Sequence, residues 1–377
     1  MKTHFTLQGT PNSPVLMFSN SLGCNLSMWD ELVPYLLPYF RVLQYDTRGH
    51  GRSEYTPGPY SVDLLGQDVI DLLDQLKIDK VHFCGLSMGG LIGQWLGIHH
   101  PERLHKLILS NTGSKIGTEA GWNDRITTLS EKGMTSIVEA TMERWFRPSF
   151  RKENAARVAQ LSQVFLDNQV AGYTACCAVV RDADFRGKLN AIGLETLILT
   201  GDEDEVTNVE HAEKMHLEIP GSQVNVLPAR HLASTEQPAL FAETLIDFIV
   251  GNGPYTRGMH VRRTVLGDAH VDRANSGKNG FNSDFQEFIS EYAWGEIWTR
   301  PGLPKPSRSL ITLAMLIPLN KKTEFKMHIR AAFNNGVTVE EIKELILQSG
   351  IYCGLPAAND AMHAAEEVFT ELGILIS

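Results

Sequence analysis

Ser87 lies in the run Phe83-Cys84-Gly85-Leu86-Ser87-Met88-Gly89-Gly90, where an apolar strand candidate, residues 81–84, enters a Gly-x-Ser-x-Gly turn. An apolar helix candidate begins near Gly89. Glycine on both sides lets the backbone turn sharply and lift the serine hydroxyl clear of its neighbours. Serine at its ordinary pKa is a poor nucleophile, so it needs a base within hydrogen-bond reach and an acid to orient that base. Two acids, Asp202 and Asp204, stand in Gly201-Asp202-Glu203-Asp204-Glu205-Val206, just past the strand candidate 196–200. A histidine, His231, stands in Pro228-Ala229-Arg230-His231-Leu232, between the strand candidate 223–227 and the final helix of this region. Serine, then acid, then histidine, each beyond the end of a strand, is the order of an acyl-transfer site built on a sheet. Of the thirteen histidines, His50 also falls in a motif, Asp46-Thr47-Arg48-Gly49-His50-Gly51-Arg52-Ser53, and reads as part of a loop that frames the cleft. The loop Ser19-Asn20-Ser21-Leu22-Gly23 can aim the Leu22 backbone N–H into the same cleft. With the N–H of Met88 it would form an oxyanion hole, the donor pair that stabilises a tetrahedral intermediate.

The elements that position these groups alternate over the first 250 residues. Strand candidates are 14–19, 41–45, 81–84, 106–110, 196–200 and 223–227, with helices at 62–76 and 91–99 between them. This is the pattern of an α/β fold with a mostly parallel sheet. The alternation lapses between residues 110 and 194, where helices are expected at 122–132, 134–146, 152–168 and 170–180. A helical insertion at that place, about 120–190, reads as a cap over the site. Residues 236–249 form a closing amphipathic helix, and Gly251-Asn252-Gly253-Pro254 then breaks the chain into a second domain. From 255 to 377 the pattern is helical throughout, with candidates at 281–297, 307–317, 323–334, 339–352 and 356–372.

Composition narrows the classes. A chain of 377 residues, 43% hydrophobic and 21% charged, has the make-up of a globular protein with room for two domains. A net charge of -10 argues against nucleic acid or anionic membrane as partner. No apolar run approaches the ~18 residues of a spanning helix, and the N-terminus lacks a signal-peptide core. Five cysteines without Cys-x-x-Cys spacing fit neither a disulfide framework nor a zinc ribbon, and imply buried structural thiols in a reducing cytoplasm.

Taken together, these motifs resemble the α/β-hydrolase superfamily and, more closely, the 3-oxoadipate enol-lactonases of aromatic catabolism. The likeness runs through the first 250 residues. Beyond the elbow it includes Ser-Asn-Ser-Leu-Gly at 19–23, the Tyr45-Asp46-Thr47-Arg48-Gly49-His50-Gly51 loop, Arg144-Trp145-Phe146 in the cap, and His231-Leu232 before Glu236-Gln237-Pro238. In that family the aspartate three residues past the glycine is the triad acid, which implies Asp204. The resemblance also implies that Trp145 lines the substrate pocket, and Arg144 beside it could meet a substrate carboxylate.

Residues 255–377 resemble the 4-carboxymuconolactone decarboxylases, an all-α domain of the AhpD-like type. Matching stretches are Arg262-Arg263-Thr264-Val265-Leu266-Gly267-Asp268-Ala269-His270-Val271, Tyr292-Ala293-Trp294-Gly295-Glu296-Ile297-Trp298, Arg308-Ser309-Leu310, His328-Ile329-Arg330-Ala331-Ala332 and Ile351-Tyr352-Cys353-Gly354-Leu355-Pro356. A redox family of the same fold carries cysteines four and seven residues before the histidine. Here those places hold Glu324 and Lys321, so a dithiol cycle is chemically unavailable. The resemblance implies a decarboxylase in which the lactone is its own electron sink, so no metal or other cofactor is expected. His328 would be the acid or enolate stabiliser, with Glu324 one turn before it on the same face. Arg308 would clamp a carboxylate, and Trp294 and Glu296 would line the site. Small-molecule lactones are the expected partners, along with further copies of the chain assembled through the C-terminal domain. A second reading makes the first domain a general carboxylesterase or haloperoxidase-like hydrolase and the second a non-catalytic oligomerisation module.

Overall fold

Short apolar runs become the strands of one seven-stranded sheet in a computed structural model that describes residues 2–374. They are β1 (Phe5–Gln8), β2 (Val15–Ser19), β3 (Arg41–Tyr45), β4 (Val81–Leu86), β5 (Leu104–Ser110), β6 (Thr196–Gly201) and β7 (Gln223–Leu227), in spatial order β1-β3-β2-β4-β5-β6-β7. β1 pairs antiparallel with β3, whereas β2, β4, β5, β6 and β7 pair parallel. β1 falls outside the expected strands because its four residues are half-buried or exposed at the sheet edge, too short a run to set up a clear alternation. All six residues of β4 are buried, as suits a central strand covered on both faces. The helix that follows it, Met88–His99, is apolar nearly all round and buried from Met88 to Gly97.

The order reverses at β2 and β4. The chain leaves β2 for β3 on one side and returns to place β4 on the other. In such sheets the crevice beyond the carboxyl ends of the strands at this switch point receives ligands. Register puts Ser19 beside Gly85, Leu86 beside Ser110, and Gly201 beside Leu227, so the loops carrying the candidate residues leave the sheet on one rim.

Between β5 and β6 lie the helices Glu119–Lys132, Val138–Trp145, Pro148–Glu153, Ala155–Leu166 and Val170–Asp182. The expected helix 134–146 is a 3₁₀ turn, Met134–Ser136, followed by Val138–Trp145. The expected helix 152–168 is broken at Asn154, whose φ of -118° and ψ of 37° lie outside the helical region. Likewise 236–249 divides at Gln237, because Pro238 can open a helix but not continue one.

The chain separates into two compact units, one of Met1–Gln8, Pro14–Pro34 and Val42–Ile249, the other of Gly9–Ser13, Tyr35–Arg41 and Val250–Ser377. The second is helical through its C-terminal part: Pro254–Leu266, Asp268–Ser276, Ser283–Phe288, a π-helical stretch Ile289–Ile297, then Lys305–Leu316, Lys322–Asn334, Val339–Cys353 and Leu355–Glu371. The first two of these helices were not among the candidates: both are mostly polar, and only Gly258, Val261, Arg262, Val265 and Val271 are buried. Its core gathers Leu313, Phe325, Ile329, Ile342, Ile346 and Val368. All five cysteines are free, but only four are buried. Cys353, at the end of its helix, is exposed, which corrects the expectation of five buried thiols. Among the described residues no helix is long and apolar enough to cross a membrane.

Candidate active sites

The turn around Ser87 is strained by construction. Ser87 has φ 57° and ψ -112°, a conformation that side-chain-bearing residues rarely adopt. Its N–H donates to the Ser110 carbonyl at 2.9 Å, and its carbonyl accepts from Thr112 Oγ1 at 2.8 Å. A Cβ on Gly85 would sit 2.0 Å from the Gly89 carbonyl oxygen, and one on Gly89 would sit 2.2 Å from that of Ser19. Both glycines are therefore required for the close crossing of β4, its helix and β2.

The two acids separate cleanly. Asp204 is buried, and its Oδ2 accepts from His231 Nδ1 at 2.9 Å, Thr207 Oγ1 at 2.8 Å and Asn111 Nδ2 at 3.0 Å. Its Oδ1 accepts the N–H groups of Val206 and Thr207. Burial alone would raise the Asp204 pKa, but the facing His231 and these donors outweigh it and bring it down to about 2. Asp202 instead pairs with Arg147 and accepts the Ala229 N–H. With Nδ1–H directed at Asp204, the His231 ring presents Nε2 as its acceptor. Sequence reasoning missed Asn111 and Thr207. Asn111 directly follows β5, but nothing in its type or spacing marks it as a partner for a residue ninety-three positions away.

Ser87 and His231 line one cavity of about 380 Å³ together with Leu22, Trp145 and Arg144. The Gly89 N–H donates to Asn20 O and the Cys24 N–H to Ser21 O, which fixes the loops that carry the Met88 and Leu22 amides. Trp145 is nearly buried, edge-on to Phe165 at 5.7 Å, so it serves core and pocket wall at once. Arg144 is held by Ala140 O through Nε; its pKa is lowered, first by burial and then by Arg125. Arg125, Trp122 and Glu205, unassigned from the sequence, also line the cavity. Arg125 grips the Tyr173 hydroxyl with Nε and Nη2 at 3.1 and 2.5 Å. Two guanidinium groups against one carboxylate, itself paired with Arg230 at 3.2 Å, give the cavity a preference for an anion. His50 is buried, accepts the Gly23 N–H at 2.9 Å, and has its pKa lowered by burial to about 4, so it is a neutral prop for the Leu22 loop. The cavity thus holds a serine hydroxyl and an aspartate-bound imidazole, two of the groups acyl transfer requires.

In the second unit His328 is half-buried on the helix Lys322–Asn334, with Glu324 exposed one turn earlier. Burial, and next His270, lower the His328 pKa to about 4, while Glu324 acts in the opposite sense. His270 is itself lowered by burial and then by Arg262 and Arg273. Arg262 is buried and donates to Ser290 Oγ at 3.1 Å and Gln286 Oε1 at 3.0 Å. So a second imidazole, His270, acts on His328, and the buried Arg262 guanidinium acts in turn on His270. Both lie in a stretch that carried the resemblance without an assigned role. Trp294 is buried, with its ring 4.8 Å from Trp298, and Glu296 is exposed. Arg308 donates to the carbonyls of Leu303 and Arg300, which ties its guanidinium to the preceding turn.

An elbow serine, an aspartate-bound imidazole and a capped anion-favouring cavity on a parallel sheet define an α/β-hydrolase. The chain belongs to the alpha/beta hydrolase fold family, matched over residues 14–238, and in its C-terminal part to the carboxymuconolactone decarboxylase family, matched over residues 283–367. Its first part is 43% identical over 233 residues to 3-oxoadipate enol-lactonase 2 of Acinetobacter baylyi, covering 62% of this chain and 87% of that protein. Its last part is 58% identical over 120 residues to 4-carboxymuconolactone decarboxylase of the same organism, covering 32% of this chain and 90% of that protein. The crystal structure of the enol-lactonase from Burkholderia xenovorans superposes with a TM-score of 0.65 at 35% identity, covering 66% of this chain and 96% of that one.

Proposed function

We propose that this chain catalyses two consecutive steps of protocatechuate breakdown: decarboxylation of 4-carboxymuconolactone, then hydrolysis of the resulting 3-oxoadipate enol-lactone. One observation carries the reading: near-complete counterparts of both enzymes, at 43% and 58% identity, stand in a single polypeptide. The general esterase alternative does not account for the C-terminal match.

In the decarboxylase, residues 255–377, the carboxylate leaves as CO2. The electron pair of the broken C–C bond passes through the ring double bond into the lactone carbonyl, giving a dienolate that takes a proton from water on carbon. The protein's task is to hold the carboxylates, stabilise the enolate oxygen and deliver that proton. His328, neutral at pH 7 with a pKa near 4, acts as an N–H donor to the enolate rather than as an imidazolium. His270 supplies a second imidazole donor beside it, and Arg262 supplies positive charge next to His270.

In the hydrolase, residues 1–250, His231 takes the proton of Ser87 as the oxygen attacks the lactone carbonyl. The tetrahedral oxyanion is received by the N–H groups of Leu22 and Met88. Its collapse breaks the ring C–O bond, and the leaving enolate takes the proton back from the His231 imidazolium and becomes the ketone of the acyl group. Water, activated by the same imidazole, then releases 3-oxoadipate. Asp204 stays ionised and holds the His231 tautomer. The free carboxylate of the lactone lies toward Arg144 and Arg125.

The free cysteines support a reducing cytoplasm as the setting. Self-association through the second unit is supported by its exposed apolar side chains, among them Phe281, Phe285, Ile351, Tyr352 and Leu355. The test is direct: purified chain supplied with 4-carboxymuconolactone should yield 3-oxoadipate, and turnover of p-nitrophenyl acetate without CO2 release would instead favour the esterase reading.

A further inference from the structure

Glu236 is a buried carboxylate, 7% exposed, that the chemistry above does not use. Its Oε1 accepts the backbone N–H of Arg147 at 2.6 Å, and its Oε2 accepts the backbone N–H of Arg230 at 3.2 Å. Arg147 lies two residues after Trp145 in the cap segment 143–147, and Arg230 immediately precedes His231. The other flank of His231 is tied as well, because the Leu232 N–H donates to the Trp145 carbonyl at 3.2 Å. The three bonds close a ring: Glu236 to Arg230, through His231 to Leu232, across to Trp145, along to Arg147, and back to Glu236.

Side chains brace this ring from outside. The Arg230 guanidinium donates to the Glu143 carbonyl at 2.6 Å, while that of Arg147 reaches Asp202 and lies 3.1 Å from Glu203, beside the loop of Asp204. A carboxylate with an acceptor oxygen for each of two buried amides suits the place, since a buried N–H left without a partner is costly.

We propose that Glu236 is a positioning residue for the hydrolase: it fixes the His231 loop against the cap, so that the imidazole keeps its approach to Ser87. This rests on the triad reading above. The cap segment 143–147 is then the third support of the catalytic histidine as well as a wall of the pocket. Loss of this support misplaces the base for every ester, large or small, because its effect lies in the geometry of His231 rather than in contact with substrate.

The test uses the full chain carrying Glu236→Ala or Glu236→Gln, assayed on enol-lactone, on p-nitrophenyl acetate and for CO2 release. The alanine variant should lose kcat on both esters by a common factor of about 10 or more, with KM little changed, since small misplacements of a base are magnified in rate. CO2 release should equal that of the parent, and a thermal melt and circular dichroism spectrum matching the parent should report an intact hydrolase unit. The glutamine variant keeps one acceptor oxygen and turns an NH2 toward the other amide, so its kcat should fall in between. Unchanged kcat on p-nitrophenyl acetate, with only the KM for enol-lactone rising, would show that Glu236 merely shapes the cap and overturn the proposal. If the alanine variant does not fold, the glutamine variant decides by the same criterion. A parent chain inactive on both esters would remove the triad reading along with it, whereas an active parent with unaffected variants removes the role of Glu236 alone.

Discussion

The two candidate sites are built on different principles. In the hydrolase unit each proposed catalytic group is held by ties to its own loop: Ser87 by a strained turn, Asp204 by two amides and three side-chain donors, and His231 by backbone ties on both flanks. In the helical unit the proposed groups His328 and His270 project from helices, and their character comes first from burial, then for His328 from His270 and for His270 from nearby arginines. The contrast follows the chemistry. Acyl transfer moves a proton along a line of three groups and tolerates little misplacement. Decarboxylation of a lactone that carries its own electron sink needs a charged, sheltered pocket more than an aligned relay.

Substitutions can break each side of this contrast. Ser87→Ala should have the largest effect, lowering enol-lactone hydrolysis by about 10⁶-fold, as loss of a triad serine does elsewhere, while CO2 release continues at the parent rate. Asp204→Asn should cost about 10⁴-fold in kcat through the wrong imidazole tautomer. Asp202→Asn, which meets only Arg147 and the Ala229 amide, should stay within about two-fold on the same scale. In the other unit His328→Gln should lower CO2 release by about 10²-fold and leave hydrolysis intact. With its pKa held near 4, the parent rate of CO2 release should be flat from pH 6 to 8; a titration limb near 6.5 would mean that the imidazolium is the working form. Arg144→Ala or Arg125→Ala should raise the KM for enol-lactone by about 10-fold and leave p-nitrophenyl acetate, which lacks a carboxylate, little affected.

The smallest effect is on stability in acid. His50 in one unit and His328 in the other have folded-state pKa values lowered by burial to about 4, below the ordinary 6.5. The unfolded chain therefore takes up protons first, and stability falls as pH drops from 6.5 toward 4. Asp204, at about 2 against an ordinary 3.8, keeps its contribution above 3.8 and loses it only as pH falls through 2. Thermal melts at pH 7 and pH 5 should show His328→Gln losing less Tm than the parent.

The same contrast governs what the sequence made legible. Ser87 could be read because it follows a short apolar run that has few ways to fold other than as a buried strand, and His231 because it follows the alternating Gln223–Leu227 run, which suits a half-exposed edge strand. Choosing Asp204 over Asp202 from residues alone was not open, since both follow β6 and only the partners distinguish them. Asn111 and Glu236 were illegible because their partners Asp204 and Arg147 are distant in sequence, and Thr207, three residues from Asp204, because a hydroxyl and an amide in a loop carry no mark of their partner. Arg125 was hidden in a cap helix whose polar face looks like any solvated face. In the helical unit His270 and Arg262 stood in a recognised stretch, but helical periodicity alone does not say which face of one helix meets another.

The most direct measurement is the carbon balance of the purified chain acting on 4-carboxymuconolactone, with CO2 and 3-oxoadipate followed together. One CO2 and one 3-oxoadipate per lactone consumed is the expected result, with the enol-lactone accumulating only in Ser87→Ala. Consumption of the lactone without CO2, or 3-oxoadipate formed at the parent rate without Ser87, would contradict the assignment of the two steps to the two units.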